Sequence, residues 1–130
     1  IGDTKNIHAA IFPQDEIIKE VFPESFIFYN PCHIVGGDVY WFTIKSGKAV
    51  IACVDCTGHG VPGALMSMIG SNMLKNIVEE KNITNPATIL NEMCRSLKTT
   101  FSHNNVGGAG NRGFIQQHIA SFQMRCIDVK

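Results

Sequence analysis

The sequence lacks an excess of charge of either sign. Its 130 residues include 11 lysines and arginines and 11 aspartates and glutamates, so the formal net charge at neutral pH is zero. Because binding to nucleic acid or to an anionic membrane draws on a surplus of positive charge, this balance provides no general attraction to either. We therefore expect no nucleic-acid partner and no membrane contact by this chain.

The sequence also lacks a long apolar run. No stretch approaches the roughly 18 apolar residues of a membrane-spanning helix, and no basic region followed by an apolar core opens the chain. The five cysteines are odd in number and irregularly spaced, unlike the paired framework of a small secreted domain. These absences predict a cytoplasmic protein with reduced thiols. The chain begins at Ile1 without a methionine, so we expect it to be a piece of a longer protein.

What the sequence does contain predicts one domain after a linker. We assign residues 1–24 to the linker, with a short helical turn at 15–19, and residues 25–130 to the domain. The aromatic run Phe26–Tyr29 predicts a first strand. Two apolar runs, Val39–Ile44 and Ala49–Val54, flank Lys45-Ser46-Gly47-Lys48, which predicts a β-hairpin.

Helical patterns follow the hairpin. The predicted apolar stripe of a first helix, starting after Gly60, contains Leu65, Met68, Ile69, Met73, Ile77 and Val78. A second helix is predicted with Asn85 as N-cap and Pro86 as first residue, and its apolar face contains Ile89, Leu90, Met93, Cys94, Leu97 and Phe101. A loop over 102–113 and a final strand over 119–129 complete the prediction. This order indicates an α+β fold with helices packed on an antiparallel sheet.

The hairpin register brings two aspartates together. A two-residue turn at Ser46-Gly47 pairs Lys45 with Lys48, and counting outward then places Asp38 opposite Asp55. A symmetric four-residue loop gives the same register, whereas a three-residue loop with a bulge would shift it. Opposed side chains in a sheet have Cβ atoms about 4.5–5.5 Å apart. Two carboxylates at that distance repel each other.

Three arrangements would relieve this repulsion: a shared proton, exposure to solvent at a frayed strand end, or a hard divalent cation. The glycine pair Gly36-Gly37 precedes one aspartate, and a glycine-containing loop follows the other. Glycines there allow the backbone to approach an ion or a phosphate closely. From the residues alone, a cation site and two solvated turn aspartates both stay open.

Two motifs resemble those of the PPM (protein phosphatase 2C-like) phosphatases. Asp55-Cys56-Thr57-Gly58-His59-Gly60 is similar to their Asp-x-x-Gly-His-Gly motif, and Gly37-Asp38-Val39-Tyr40-Trp41-Phe42 to the Gly-Asp-x-Tyr-aromatic-Phe motif of the branch typified by stage II sporulation protein E. The resemblance covers about Ile7 to Phe101. It implies a β-sandwich flanked by helices, incomplete here at its C-terminal side.

The resemblance also implies chemistry. Asp55 would bridge two Mg²⁺ or Mn²⁺ ions, the backbone carbonyl of Cys56 would bind one of them, and Asp38 would bind the second directly or through water. A water made more acidic by the cations would then attack a protein phosphoserine or phosphothreonine. In related bacterial systems the substrate is often a phosphorylated anti-sigma-factor antagonist, and a sensor domain precedes the phosphatase.

The chain departs from the family pattern near its end. The acidic residues that the family carries just before its late strand are absent before Ile119, and Asp128 lies at the wrong end of that strand. A two-ion site made from Asp38 and Asp55 alone would lack ligands. We therefore expect weak or no activity of this chain, and a catalytically inactive pseudophosphatase that binds a phosphoprotein is the alternative function.

The remaining cysteines and histidines have simpler interpretations. Cys53 and Cys56 spell C-x-x-C, but neither a helix N-terminus nor a second ligand pair accompanies them, so we favour structural cysteines over redox or zinc chemistry. His59 is either a general acid or, as we favour, a brace of its loop. The other histidines are predicted to lie on the surface or in loops: His8, His33, His103 and His118.

Overall fold

The computed structural model describes residues 2–102 and 119–129. In chain order its elements are α1 (Gly2–Ala9), α2 (Asp15–Val21), β1 (Gly36–Lys45), β2 (Lys48–His59), α3 (Gly60–Leu74), a π-helical segment (Lys75–Glu80), α4 (Pro86–Ser102) and β3 (Ile119–Asp128). Within the described residues the strands form one antiparallel sheet in the order β1-β2-β3. The α+β class predicted from the sequence is confirmed, and the described residues supply one sheet of the expected sandwich.

The predicted hairpin is confirmed, including its turn. Lys45 pairs with Lys48, so the turn consists of Ser46 and Gly47 alone. Both residues have positive φ, 52° and 72°, as a two-residue turn of type I′ requires. The Ser46 hydroxyl donates a hydrogen bond of 2.8 Å to the Asn82 side chain, which ties the turn to the end of the helical region.

One face of the sheet holds the main core. Alternate residues of β1 and β2 point toward α3, the π-helical segment and α4, because successive strand side chains point to opposite faces. The buried cluster consists of Val39, Trp41, Val50, Ala52, Val54, Cys56, Met66, Leu74, Ile77, Val78, Ile89 and Met93. Each large aliphatic side chain buried in this way contributes about 1.5–3 kcal/mol to the stability of the fold.

The buried stripe of α3 differs from the prediction. Leu65 is 55% exposed, and the face that meets the sheet consists mainly of small residues. They are Gly63, Ala64, Ser67, Gly70 and Ser71. A Cβ atom added to Gly63 would lie 3.0 Å from the backbone nitrogen of Gly37, so the helix and the strand are in near-backbone contact. The later part of the predicted stripe is confirmed, because Ile77 and Val78 are buried. In the first turns of α3 the prediction is wrong, because close approach rather than apolar area determines the interface there.

Later elements agree with the sequence more closely. The Asn85 side chain accepts a hydrogen bond of 3.1 Å from the Thr88 backbone and α4 begins at Pro86, as predicted. Its buried residues include Ile89, Met93 and Leu97, whereas Leu90 and Cys94 are exposed. The final strand is confirmed as β3, which pairs with β2. The loop predicted after Ser102 lies outside the described residues.

The predicted strand at Phe26–Tyr29 is wrong. This segment has no regular secondary structure, and Phe26 and Phe28 are 86% and 84% exposed. Aromatic residues favour strands only where a neighbouring strand offers a pleated surface to pack on, and no described strand pairs with these residues. Tyr29 instead packs against the rings of Phe12 and Tyr40, which also contact each other.

The described residues cover the second face of the sheet only in part. Ile18 of α2 packs there with Phe42 and Ala49 in a smaller buried cluster. Beside this cluster a groove of about 1210 Å³ runs along the sheet toward Asp38 and Asp55. None of the helices that the structure describes is long and apolar enough to cross a membrane.

Candidate functional site

Asp38 and Asp55 lie directly opposite each other across β1 and β2, as the turn prediction required. Both side chains are exposed, and both line the groove on the face away from the main core. A register shift separates this pair from Gly36, which pairs with His59. Such a bulge re-aims side chains at the end of a strand pair. The sheet therefore presents two carboxylates together at its open end.

The electrostatics of the pair show that the two carboxylates interact. Partial desolvation raises the pKa of Asp38, and the negative charge of Asp55 together with a hydrogen bond to its side chain raises it further. The register accounts for this interaction, because it places the two residues directly opposite each other. A site that disfavours a second negative charge is one in which a bound cation gains favourable interactions with both carboxylates.

Glycines surround the Asp pair because backbone atoms approach each other there. A Cβ atom on Gly37 would lie only 2.3 Å from the carbonyl oxygen of Cys56 and 3.2 Å from that of Gly58. The Cys56 carbonyl thus lies against the residue that precedes Asp38. Gly58 and Gly60 have φ of 107° and 67°, which side-chain-bearing residues rarely adopt.

The oxygen atoms at this site fit a hard divalent cation. Two carboxylates and a backbone carbonyl supply oxygen ligands, and Mg²⁺ commonly binds one or two carboxylates while keeping several waters. Within residues 2–102 and 119–129 no cluster of three or more His, Cys, Asp or Glu side chains is present. The described residues therefore suit one partly hydrated ion, while a second ion would need further ligands.

The structure does not support redox or zinc chemistry at the C-x-x-C sequence. Cys56 belongs to the buried core on the helix side, whereas Cys53 is exposed and lines the groove on the opposite face. The two thiols cannot converge on one metal or form a disulfide in this arrangement. Burial, helped by the charges of Asp55 and Asp38, raises the pKa of Cys56 to about 11, which keeps its thiol protonated.

His59 terminates β2 and precedes α3, but its side chain does not cap that helix. Its imidazole ring lies beside that of His33, with centroids 4.9 Å apart and planes tilted by 31°. The hydrogen bond expected of a loop brace is not among those formed by the described residues. The ring contact instead links the junction of β2 and α3 to the segment that leads into β1.

Sequence reasoning missed His8, which was predicted to lie on the surface or in a loop. Its side chain is 5% exposed, and Nε2 lies 3.0 Å from the Ser67 hydroxyl of α3. Burial lowers the pKa of His8, while a hydrogen bond to the Gly36 backbone opposes this shift. Helix α1 has only eight residues, too few to show a periodic pattern that would have identified the buried position.

Sequence reasoning also missed Tyr29, which touches the candidate site. Its hydroxyl donates a hydrogen bond of 3.0 Å to the backbone carbonyl of Asp38. The predicted strand at Phe26–Tyr29 concealed this role. In a strand, the direction of the Tyr29 side chain would follow from the alternation of successive side chains between the two faces of a sheet. Only the irregular path of the segment brings its hydroxyl to the strand end.

Comparison with known proteins identifies the family. The family model described as Stage II sporulation protein E (SpoIIE) matches residues 45–128, more than half of the chain. The chain belongs to the SpoIIE family. This SpoIIE-family chain carries Asp55 inside the matched region and Asp38 just before it. A search of the curated proteins finds no match.

A solved structure gives the same answer for the fold of this SpoIIE-family chain. The SiaA-PP2C domain of Pseudomonas aeruginosa is 33% identical, with a TM-score of 0.67. The match covers 76% of this chain and 40% of that domain's chain. The PPM-type phosphatase fold predicted from the two motifs is therefore confirmed, and the present chain spans less than half of the solved relative.

A stability measurement tests the repulsion in the Asp pair. Because the folded state raises the pKa of Asp38, the folded protein binds more protons than the unfolded chain between the ordinary aspartate pKa and the raised value. Stability is therefore lost as pH rises through that window. Without divalent cations, Asp38→Asn is expected to raise the melting temperature at pH 7, and the difference should shrink below about pH 4. A lower melting temperature for Asp38→Asn at pH 7 would contradict the repulsion.

Proposed function

We propose that this chain hydrolyses phosphoserine and phosphothreonine on a protein substrate in a reaction that depends on Mg²⁺ or Mn²⁺. The supporting observation is the placement of Asp38 opposite Asp55 at an exposed end of the sheet, in a chain of a phosphatase family. Metal dependence is chemically reasonable because two mutually repelling carboxylates are natural ligands of a divalent cation.

Each residue has a defined task in this proposal. The carboxylates of Asp38 and Asp55, and the Cys56 carbonyl, would hold the cations. Bound cations supply positive charge that neutralises phosphoryl oxygens and makes a water molecule more acidic and so a better nucleophile. The protein positions these ligands through the bulge beside Gly36 and the close contact at Gly37. No phosphorylated side chain of the enzyme is required.

A second candidate function is a catalytically inactive phosphoprotein-binding module. The observation in its favour is that the described residues contain no third acidic, histidine or cysteine side chain near enough to complete a larger metal cluster. Such a protein would still bind a cation weakly at the Asp pair and could hold a phosphate without hydrolysing it.

Hydrolysis assays distinguish the two functions. With p-nitrophenyl phosphate or a phosphoserine peptide, we expect phosphate release that rises with Mn²⁺ concentration and disappears on chelation, at a low rate for this chain. Mn²⁺-dependent binding of the phosphopeptide without phosphate release, measured at substrate and metal saturation, would favour the inactive module. Release that is unaffected by chelation would contradict the proposed metal chemistry.

The biological setting of the proposal follows the family. The substrate would be a phosphorylated protein, for example an anti-sigma-factor antagonist, and a sensor domain upstream in the full-length protein would control the reaction in the cytoplasm. Helix α1 supports such control because it packs on the domain through His8 and Ser67. Incubating the chain with candidate phosphoproteins and measuring loss of phosphate by mass spectrometry tests the substrate assignment.

A further inference from the structure

Tyr29 is held against Asp38 from several sides. Its hydroxyl donates to the Asp38 carbonyl oxygen at 3.0 Å, and its ring lies 4.9 Å from that of Phe12 and 6.0 Å from that of Tyr40. Burial raises the pKa of Tyr29, and the nearby charge of Asp38 raises it further, which agrees with this proximity. The ring contacts fix where the hydroxyl lies, so the hydrogen bond acts at a defined point of β1.

Tyr29 differs from the two phenylalanines of its segment. Phe26 and Phe28 are more than four-fifths exposed, whereas Tyr29 and Ile27 are each 36% exposed, and Tyr29 forms the hydrogen bond to Asp38. In the described sheet β1 is an edge strand, which leaves some of its carbonyl groups without a strand partner. The Tyr29 hydroxyl serves as that partner at Asp38. It is therefore the anchor of the segment on the strand end that carries the site.

An anchor at this position opposes a specific force. Asp38 and Asp55 lie directly opposite each other across β1 and β2, so their carboxylates repel each other when both are ionised. An edge strand without a second neighbour would relieve that repulsion by moving away from β2. The hydrogen bond from Tyr29 restrains the Asp38 backbone and so keeps its carboxylate opposite Asp55 before a cation arrives.

We propose that Tyr29 is a positioning residue for Asp38, and that its hydroxyl increases the affinity of the Asp pair for a divalent cation. This inference rests on the proposed metal site. Groups that orient metal ligands typically alter affinity without touching the ion. Tyr29 would act in this way through the backbone of Asp38, and it would have no direct contact with the substrate.

Mn²⁺ titration calorimetry on the 130-residue chain tests this role with a matched control. Tyr29→Phe removes the hydroxyl and keeps the ring packing, and we expect it to weaken Mn²⁺ binding about 5- to 10-fold. Tyr40→Phe is the control, because Tyr40 belongs to the same ring cluster and its hydroxyl forms no hydrogen bond with the described residues. It should bind Mn²⁺ as the unchanged protein does.

The outcomes distinguish the positioning role of Tyr29 from the proposed metal site on which it depends. If the unchanged protein binds Mn²⁺ and Tyr29→Phe binds equally well, the positioning role is refuted while the metal site stands. If the unchanged protein binds no Mn²⁺, the proposed function fails and this inference fails with it. Loss of the hydrogen bond to Asp38 should also lower the metal-free melting temperature of Tyr29→Phe slightly relative to that of Tyr40→Phe. The titrations are therefore made at a temperature at which both variants are fully folded, so that weaker Mn²⁺ binding reports positioning rather than unfolding.

Discussion

Replacing Asp55 with asparagine is expected to lower Mn²⁺-dependent phosphate release by at least about 100-fold, because altering even groups that only support a metal ligand commonly costs 10–100-fold. Asp55 faces Asp38 directly and belongs to the motif that the family model matches. The asparagine side chain keeps the size of the aspartate, so the hairpin should fold as before. The measurement is kcat/KM with p-nitrophenyl phosphate at saturating Mn²⁺.

A remote aspartate provides the control for this result. Asp3 is exposed on helix α1, and Asp3→Asn makes the same chemical change near the N-terminus, outside both motifs. It should leave kcat/KM within a factor of about two, as expected of a surface change. Equal activity of Asp55→Asn and Asp3→Asn would show that Asp55 plays no part in the reaction.

Replacing Gly37 with alanine is expected to have the largest effect on the architecture of the site. The new Cβ would lie 2.3 Å from the Cys56 carbonyl oxygen, and a backbone oxygen on a paired strand has little freedom to move. Overpacking of this kind costs about 1–3 kcal/mol. The resulting shift would also separate Asp38 from the Cys56 carbonyl. We expect a lower urea midpoint and weaker Mn²⁺ binding.

Gly70 offers a matched control for the Gly37 variant. It is buried in α3, yet a Cβ atom added there meets nothing within 4 Å. Because alanine is favoured over glycine inside a helix by about 0.5–1 kcal/mol, Gly70→Ala should be neutral or stabilising and should leave Mn²⁺ binding unchanged. A Gly37→Ala protein as stable as Gly70→Ala would contradict the close contact between the strands.

The hairpin and its Asp pair could be predicted because local chemistry determines them. The turn at Ser46-Gly47 sets the register, and the register alone places Asp38 opposite Asp55. The N-cap at Asn85 was equally local, since a side chain and a backbone group three residues apart form it. Patterns of this kind depend on neighbours in sequence and can therefore be recognised without knowledge of the tertiary fold.

The errors came from contacts between distant residues. The first part of the predicted stripe, at Leu65, was misassigned because the sheet approaches Gly63 too closely for large side chains, a fact that depends on Gly37. His8 and Tyr29 were misjudged for the same reason, as their partners Ser67 and Asp38 are not near them in the helical or strand pattern. Hydrophobicity and strand propensity carry no information about such polar partners.

The most direct test of the central claim is Mn²⁺ titration calorimetry on the unchanged chain and on the double variant Asp38→Asn, Asp55→Asn. The account predicts saturable binding in the micromolar range for the unchanged chain and none for the double variant, because the opposed carboxylates supply both charged ligands. Equal binding by the two proteins, or no binding by the unchanged chain, would contradict a divalent-cation site at this pair.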